Sequence, residues 1–256
     1  MFASHSFSAV AASALPPNKD VVTEFAILNS RLPEGVNEQF RVDLGRALST
    51  QVGWYAEKWP KLPHTAADRA VAALQQIENV TQVLLTAQWP SVPDHVQFIG
   101  SDAHHEVQSI MAEWVTNTGP QDSVIFHLQG PVFGPPSCHK GRPKKNKVIS
   151  LLESPIVSTT RAFVRADQKK AFQKKWDQVG HLVVKFAKPY QCTTSWRIDK
   201  ASPEQEEFFL ACGWPSVQRH VEFVQTPEFL KYNQLSTVST GIDNKHYRRL
   251  DIDIVE

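Results

Sequence analysis

The groups in this sequence best fitted to move a proton near neutral pH are its ten histidines, because imidazole titrates closest to 7. His104 is the first candidate. Ser101 or Asp102 suits the cap of a new helical turn, and a histidine in a first turn feels the positive end of the helix dipole, which disfavours imidazolium. A neutral imidazole is what a general base needs. Asp102 and Glu106 oppose this if they face the ring. The bland alternative is an exposed polar residue beside His105. His127 is the second candidate. It interrupts an apolar string between Phe126 and Leu128, so it either faces a pocket, orienting or shuttling for His104, or sits hydrogen-bonded in a core. No HExxH, CxxC, Walker loop or GxGxxG occurs, and adjacent His104 and His105 do not share a helix face. No metal and no cofactor are expected.

These residues sit in a duplicated frame. Residues 88–99 read QWPSVPDHVQFI and residues 213–224 read GWPSVQRHVEFV. In both copies an apolar run of strand length precedes the tryptophan, Val80–Trp89 and Glu206–Trp214. Ser91 and Ser216 then stand where a helix N-cap belongs, followed by apolar residues at helical spacing. Trp89 and Trp214 are expected to pack, with pocket wall as the second role. His95 and His220 recur in both copies, which favours a structural hydrogen bond to a buried carbonyl over substrate contact. Phe98 and its counterpart Phe223 follow on the same helices.

The second copy reads as strand 155–164, helix 167–188 capped by Asp167, strand 191–198, strand 206–214, helix from Ser216, and strand 247–255. This β-α-β-β-α-β order is the ferredoxin-like unit. The first copy matches with strand 21–28, helix 34–50 and last strand 122–129; its middle, 53–77, carries one strand whose place the sequence does not fix and an extra helical segment, AADRAVAALQQI, over 66–77. The strand before each tryptophan is apolar on both faces, so both faces must be covered. The unit's own helices cover one, and the sister unit's sheet covers the other. The expected fold is α+β: two ferredoxin-like repeats forming an intramolecular dimeric α/β barrel. The expected boundaries are an arm over 1–19, a first domain over 20–129, a solvated, mobile linker over 130–153 rich in Pro, Gly and Lys, and a second domain over 154–256. In the second domain Trp196, Arg161, Arg197, His181 and Tyr247 are possible pocket groups. A strand-borne Arg161 facing inward needs a carboxylate or an anionic ligand.

Composition excludes several classes. Lys plus Arg total 27 against 26 Asp plus Glu, so the basic excess of a duplex nucleic-acid binder is absent. The basic stretch KGRPKKNK is short and reads as solvated. No apolar run reaches membrane-spanning length, and no basic n-region precedes the mild apolar stretch 7–15; a cytoplasmic protein is expected. The three cysteines, Cys138, Cys192 and Cys212, are widely spaced, and no disulfide framework is expected.

The pattern strand–W–x–S–x–x–x–H–x–x–F with a following helical stretch resembles the dimeric α/β-barrel superfamily, nearest the antibiotic biosynthesis monooxygenase-like family in tandem form. It covers about residues 80–128 and 206–252 most strongly. The string from Phe98 to Ala103-His104 is similar to olivetolic acid cyclase and its stress-responsive relatives, which place a histidine six positions after an aromatic residue. Here Asp102 replaces the family's proline, Phe98 replaces a tyrosine, and the second copy has Phe229 in place of the histidine. The resemblance implies a cofactor-independent enzyme on a small, oxygenated, polyketide- or terpenoid-like molecule, cyclising, rearranging or eliminating with histidine help. The alternative it implies is a cofactor-free monooxygenase on an anthrone- or quinol-like substrate; non-catalytic small-molecule binding or heme degradation stand behind these. The expected partners are a small molecule, no nucleic acid and no membrane, with further homo-oligomerisation open.

Overall fold

The computed structural model describes residues 21–116, 124–134 and 148–256. The arm over 1–19, Cys138 and the run KGRPKKNK lie outside the described residues. The chain forms β1 (Val22–Asn29), α1 (Glu38–Lys58), β2 (Ala72–Gln76), β3 (Gln82–Trp89), α2 (Val92–Ile99), α3 (Asp102–Met111) and β4 (Val124–Gln129). It continues with β5 (Ile156–Arg165), α4 (Lys169–Ala187), β6 (Cys192–Trp196), β7 (Gln205–Trp214), α5 (Val217–Val224), α6 (Pro227–Tyr232) and β8 (Gly241–Arg249).

The eight strands make one antiparallel sheet in the order β4-β1-β3-β2-β8-β5-β7-β6. Each half thus places its strands as last, first, third, second. The halves join where β2 pairs with β8. The far edges, β4 and β6, nearly close the sheet through a bridge between Leu128 and Arg197. The two joints match in detail: Ile77 N–H donates to His246 O at 2.8 Å, and Ile198 N–H donates to His127 O at 2.8 Å.

Curling buries one sheet face inside. Phe25, Leu74 and Phe126 from the first half meet Val157, Phe209 and Tyr247 from the second in a central cluster. Each outer face is covered by its own helices, with Phe40, Leu44, Leu48 and Trp89 in one layer and Phe172, Val183, Phe208 and Trp214 in the other. The run Phe208–Trp214 is buried throughout, as an apolar strand sandwiched between two layers requires.

Caps are set locally. Ser91, Ser101 and Ser216 accept from the backbone N–H of Asp94, His104 and Arg219, respectively. Asp167 does not cap: it lies in a 3-10 turn before α4 and pairs with Arg165 at 2.8 Å.

Four expectations are corrected. Residues 72–76, read as helical, are the strand β2, because they fill the slot between β3 and β8. The last strand runs over 241–249 instead of 247–255, since its pairing with β5 begins at Gly241. The described ends of the linker are only partly solvated: Val132, Phe133 and Leu151 are fully buried in the central cluster. Cys192 and Cys212 form a disulfide, because they face each other directly in the β6–β7 register.

Candidate active site

The tryptophan, histidine and last strand of each half make one arrangement twice. In the second half the Trp214 indole stacks on the His220 ring at 4.6 Å between centroids and donates its N–H to Ser158 Oγ at 2.8 Å. His220 Nδ1 lies 2.8 Å from His246 Nε2. His246 Nδ1 lies 2.5 Å from Glu78 Oε1, a residue of the other half's β2–β3 connection. In the first half Trp89 stacks on His95 at 4.5 Å, His95 Nδ1 lies 2.7 Å from His127 Nε2, and His127 Nδ1 lies 3.2 Å from Asp199 Oδ2, again from the opposite half. His95 and His220 therefore bond to a second histidine, not to a backbone carbonyl.

The far ends of the two chains differ. His95 Nε2 meets Glu24 Oε2 at 3.5 Å, the same oxygen that accepts from Trp89 Nε1 at 2.8 Å. The equivalent β5 position is Ser158, so His220 Nε2 meets no carboxylate. The His220 ring borders a cavity of about 180 Å³ lined by Phe172, Trp176, Phe208, Trp214, Phe223 and Tyr232, with Ser158, Thr160, Asn244 and Ser236 as polar groups. Among the described residues, no Lys, Arg, Asp or Glu lines it. The cavity lies between sheet and helices, where an apolar pocket with a few polar groups takes small molecules. Exposed Val224, Asn233, Ser236, Ile242 and Asn244 form its mouth.

Burial, reinforced by the His246 ring, lowers the His220 pKa to about 4. Burial likewise lowers His95 to about 4, against the pull of Glu24. Both rings are neutral at pH 7. Burial raises the pKa of Glu78 and of Asp199, but the hydrogen bonds from His246 and His127 outweigh it, and each carboxyl sits below its ordinary value. Burial pushes the Tyr232 hydroxyl up, which keeps it a neutral donor.

The other candidates fall in three places. His104 lies against the edge of Phe98, with ring centroids 5.3 Å apart, in the first half. It does not meet His127, whose ring nitrogens are taken by His95 and Asp199. Burial lowers the His104 pKa while Glu24 raises it. Trp196 packs beside the second-half cavity on Phe172 and Phe208, its N–H donated to Gln173 Oε1 at 2.9 Å. Arg161 lies on the opposite sheet face, bonded twice to Glu207 at 2.5 and 3.1 Å. Arg197 joins the same carboxylate, Tyr247 is in the central cluster, and His181 is exposed.

Five residues of the arrangement escaped the sequence: Glu24, Glu78, Ser158, Asp199 and His246. The one available signal was His246, a histidine in the last strand as His127 is; misplacing β8 hid it. Arg69 was missed too. It is 2% exposed, its guanidinium lies 3.5 Å over the Tyr55 ring, and burial lowers its pKa to about 10. Among the described residues no group of three His, Cys, Asp or Glu is placed to hold a metal, and no helix is long and apolar enough to cross a membrane.

No protein-family profile matches the sequence, and no curated protein matches it. Solved structures do resemble it. An anthrone oxidase-like protein aligns with a TM-score of 0.52 at 12% identity over 91% of this chain and 92% of its own. A candidate monooxygenase of Fusobacterium nucleatum subsp. nucleatum aligns with a TM-score of 0.51 at 10% identity over 90% of this chain and 93% of its own. At such identities the likeness is one of fold: a mixed α+β chain with a nearly closed, barrel-like antiparallel sheet.

Proposed function

We propose that the protein is a cofactor-free monooxygenase of a small quinol-like substrate, with His220 as the base, on two ferredoxin-like repeats (20–129 and 154–256) that form an intramolecular dimeric α/β barrel. One observation carries this: the His220 ring lines an aromatic-walled cavity, and its Nδ1 is engaged by His246, which leaves Nε2 as the nitrogen for a substrate. That is the arrangement a buried general base needs. An apolar cavity of about 150 Å³ takes benzene, so about 180 Å³ fits one substituted ring better than three fused ones.

In the proposed reaction His220 Nε2 takes a phenolic proton. The electron-rich ring then reduces dioxygen, forming a carbon–oxygen bond at a ring carbon. The O–O bond breaks, one oxygen stays on the ring and the other leaves as water. Quinol plus dioxygen gives hydroxyquinone plus water, with dioxygen as the only oxidant. The aromatic walls hold the ring and exclude bulk water; Ser158 and Asn244 are the groups placed to orient its oxygens.

The test is oxygen uptake with a panel of one-ring hydroquinones, using ¹⁸O₂ and mass spectrometry. One labelled oxygen in the product, with uptake lost in His220→Ala by about 10²-fold or more, is the expected result. No uptake above the buffer rate for any quinol would reject the oxygenase reading.

A second reading rests on His104. It is half-buried, sits beside Phe98, and makes no hydrogen bond through its buried Nδ1. It would serve proton transfer in a cyclisation, rearrangement or elimination in the first half.

A further inference from the structure

Each histidine chain is completed by a carboxylate from the opposite half, set in place by the sheet joint itself. Ile77 bonds to the His246 backbone, which brings the next residue, Glu78, onto His246. Ile198 bonds to His127 in the same way, which brings Asp199 onto it.

We infer that Glu78 is a positioning residue for the second-half site: through His246 it fixes the tautomer of His220 so that the nitrogen facing the cavity is the unprotonated one. The inference rests on His220 being the base.

The direction of the chain follows from the donors available. Carboxylate oxygens only accept. Those of Glu78 take the His246 backbone N–H at 3.1 and 3.0 Å, and Oε1 lies 2.5 Å from His246 Nδ1. Nδ1 therefore carries the hydrogen, because the reverse would press a lone pair against an anion. With its hydrogen on Nδ1, His246 offers Nε2 as the acceptor for the His220 Nδ1–H, 2.8 Å away. His220, its pKa lowered to about 4 by burial, is then left with a bare Nε2. A carboxylate that holds an imidazole in its useful tautomer acts without touching substrate.

The first half lines up the same groups but with a carboxylate at each end, so Asp199 alone does not set its direction as Glu78 does in the second half. Asp199, His127 and His95 lead to Glu24, 3.5 Å from His95 Nε2. There the protein's own carboxylate stands where the second half leaves space. The β2–β8 joint is thus more than a seam: the loop of one half sets the base of the other.

The test uses the full chain with ¹⁵N-labelled histidine and reads ring tautomers by NMR. In the wild type His220 should carry its hydrogen on Nδ1 and be bare at Nε2. In Glu78→Leu no carboxylate remains to hold the hydrogen on His246 Nδ1. His220 should then show the Nε2–H form that the wild type lacks, and kcat should fall about 10²- to 10⁴-fold with KM little changed. Asp199→Leu makes the same change at the other joint and should leave the His220 signals as in the wild type. A wild-type His220 protonated at Nε2 overturns the inference, as does Glu78→Leu leaving the tautomer unchanged. The wild-type spectrum decides this even if the variant does not fold. Absent turnover with the expected tautomers would instead count against the oxygenase reading alone.

Discussion

Glu24 and Ser158 occupy the same register position in their two halves, each accepting the indole N–H of its own tryptophan at 2.8 Å. From the first a carboxylate reaches His95 Nε2; from the second a hydroxyl leaves His220 facing open space. The difference between the halves at the histidine thus comes down to a single side chain.

Ser158→Glu should close the second half in the manner of the first. A carboxylate there would take the Trp214 N–H and approach His220 Nε2, occupying the substrate's place. Ligand binding by calorimetry should be lost while the circular dichroism spectrum stays that of the wild type. Retained binding would mean that the carboxylate does not reach the histidine.

His220 and His104 lie in different halves, so their alanine variants separate the two readings. His220→Ala should lower kcat/KM by about 10²- to 10⁴-fold, the usual weight of a general base, and His104→Ala should stay within about threefold. The opposite ranking in steady-state assays would move the chemistry to the first half.

Acid should weaken the fold through the buried imidazoles. Folded His220 and His95 titrate near 4, against an ordinary value of 6.5. Between those values the unfolded chain binds more protons, so stability falls as pH drops from about 6.5 to about 4, by up to about 1.4 kcal/mol per pH unit for each histidine. Glu78 and Asp199, held below ordinary carboxyl values, stabilise the fold above those values, and this contribution is lost at still lower pH. Urea midpoints measured from about pH 7.5 down to about pH 4.5 check this; a midpoint that does not move would show that these rings are not shielded.

Filling the cavity should trade binding for stability. Ala162 is buried and lines the cavity, so Ala162→Leu adds apolar atoms in empty space. A gain of about 0.5–2 kcal/mol is typical of cavity filling, accompanied by weaker binding of one-ring ligands. Denaturant melts and a ligand titration of the same variant measure both.

Local features were legible in the sequence because they depend on neighbours a few residues apart. The matched strings at 88–99 and 213–224 announced the duplication, Ser91, Ser101 and Ser216 announced their helices, and the apolar Phe208–Trp214 run announced a strand covered on both faces. Segments governed by distant pairing were misread. Residues 72–76 carry a helical pattern yet become a strand because the joint between halves needs one there, and β8 starts at Gly241 because β5 sets its register.

The chain's own order of residues determined that there are two similar halves, that each ends a strand on a tryptophan and starts a helix bearing a histidine, and that their sheets must cover each other. Only the folded barrel decided what those histidines meet. Glu78 lies 168 residues from His246 and Asp199 72 from His127, separations over which spacing along the chain carries no information. Closing the sheet places them in contact, and that closure puts a neutral imidazole beside space in one half and beside a carboxylate in the other.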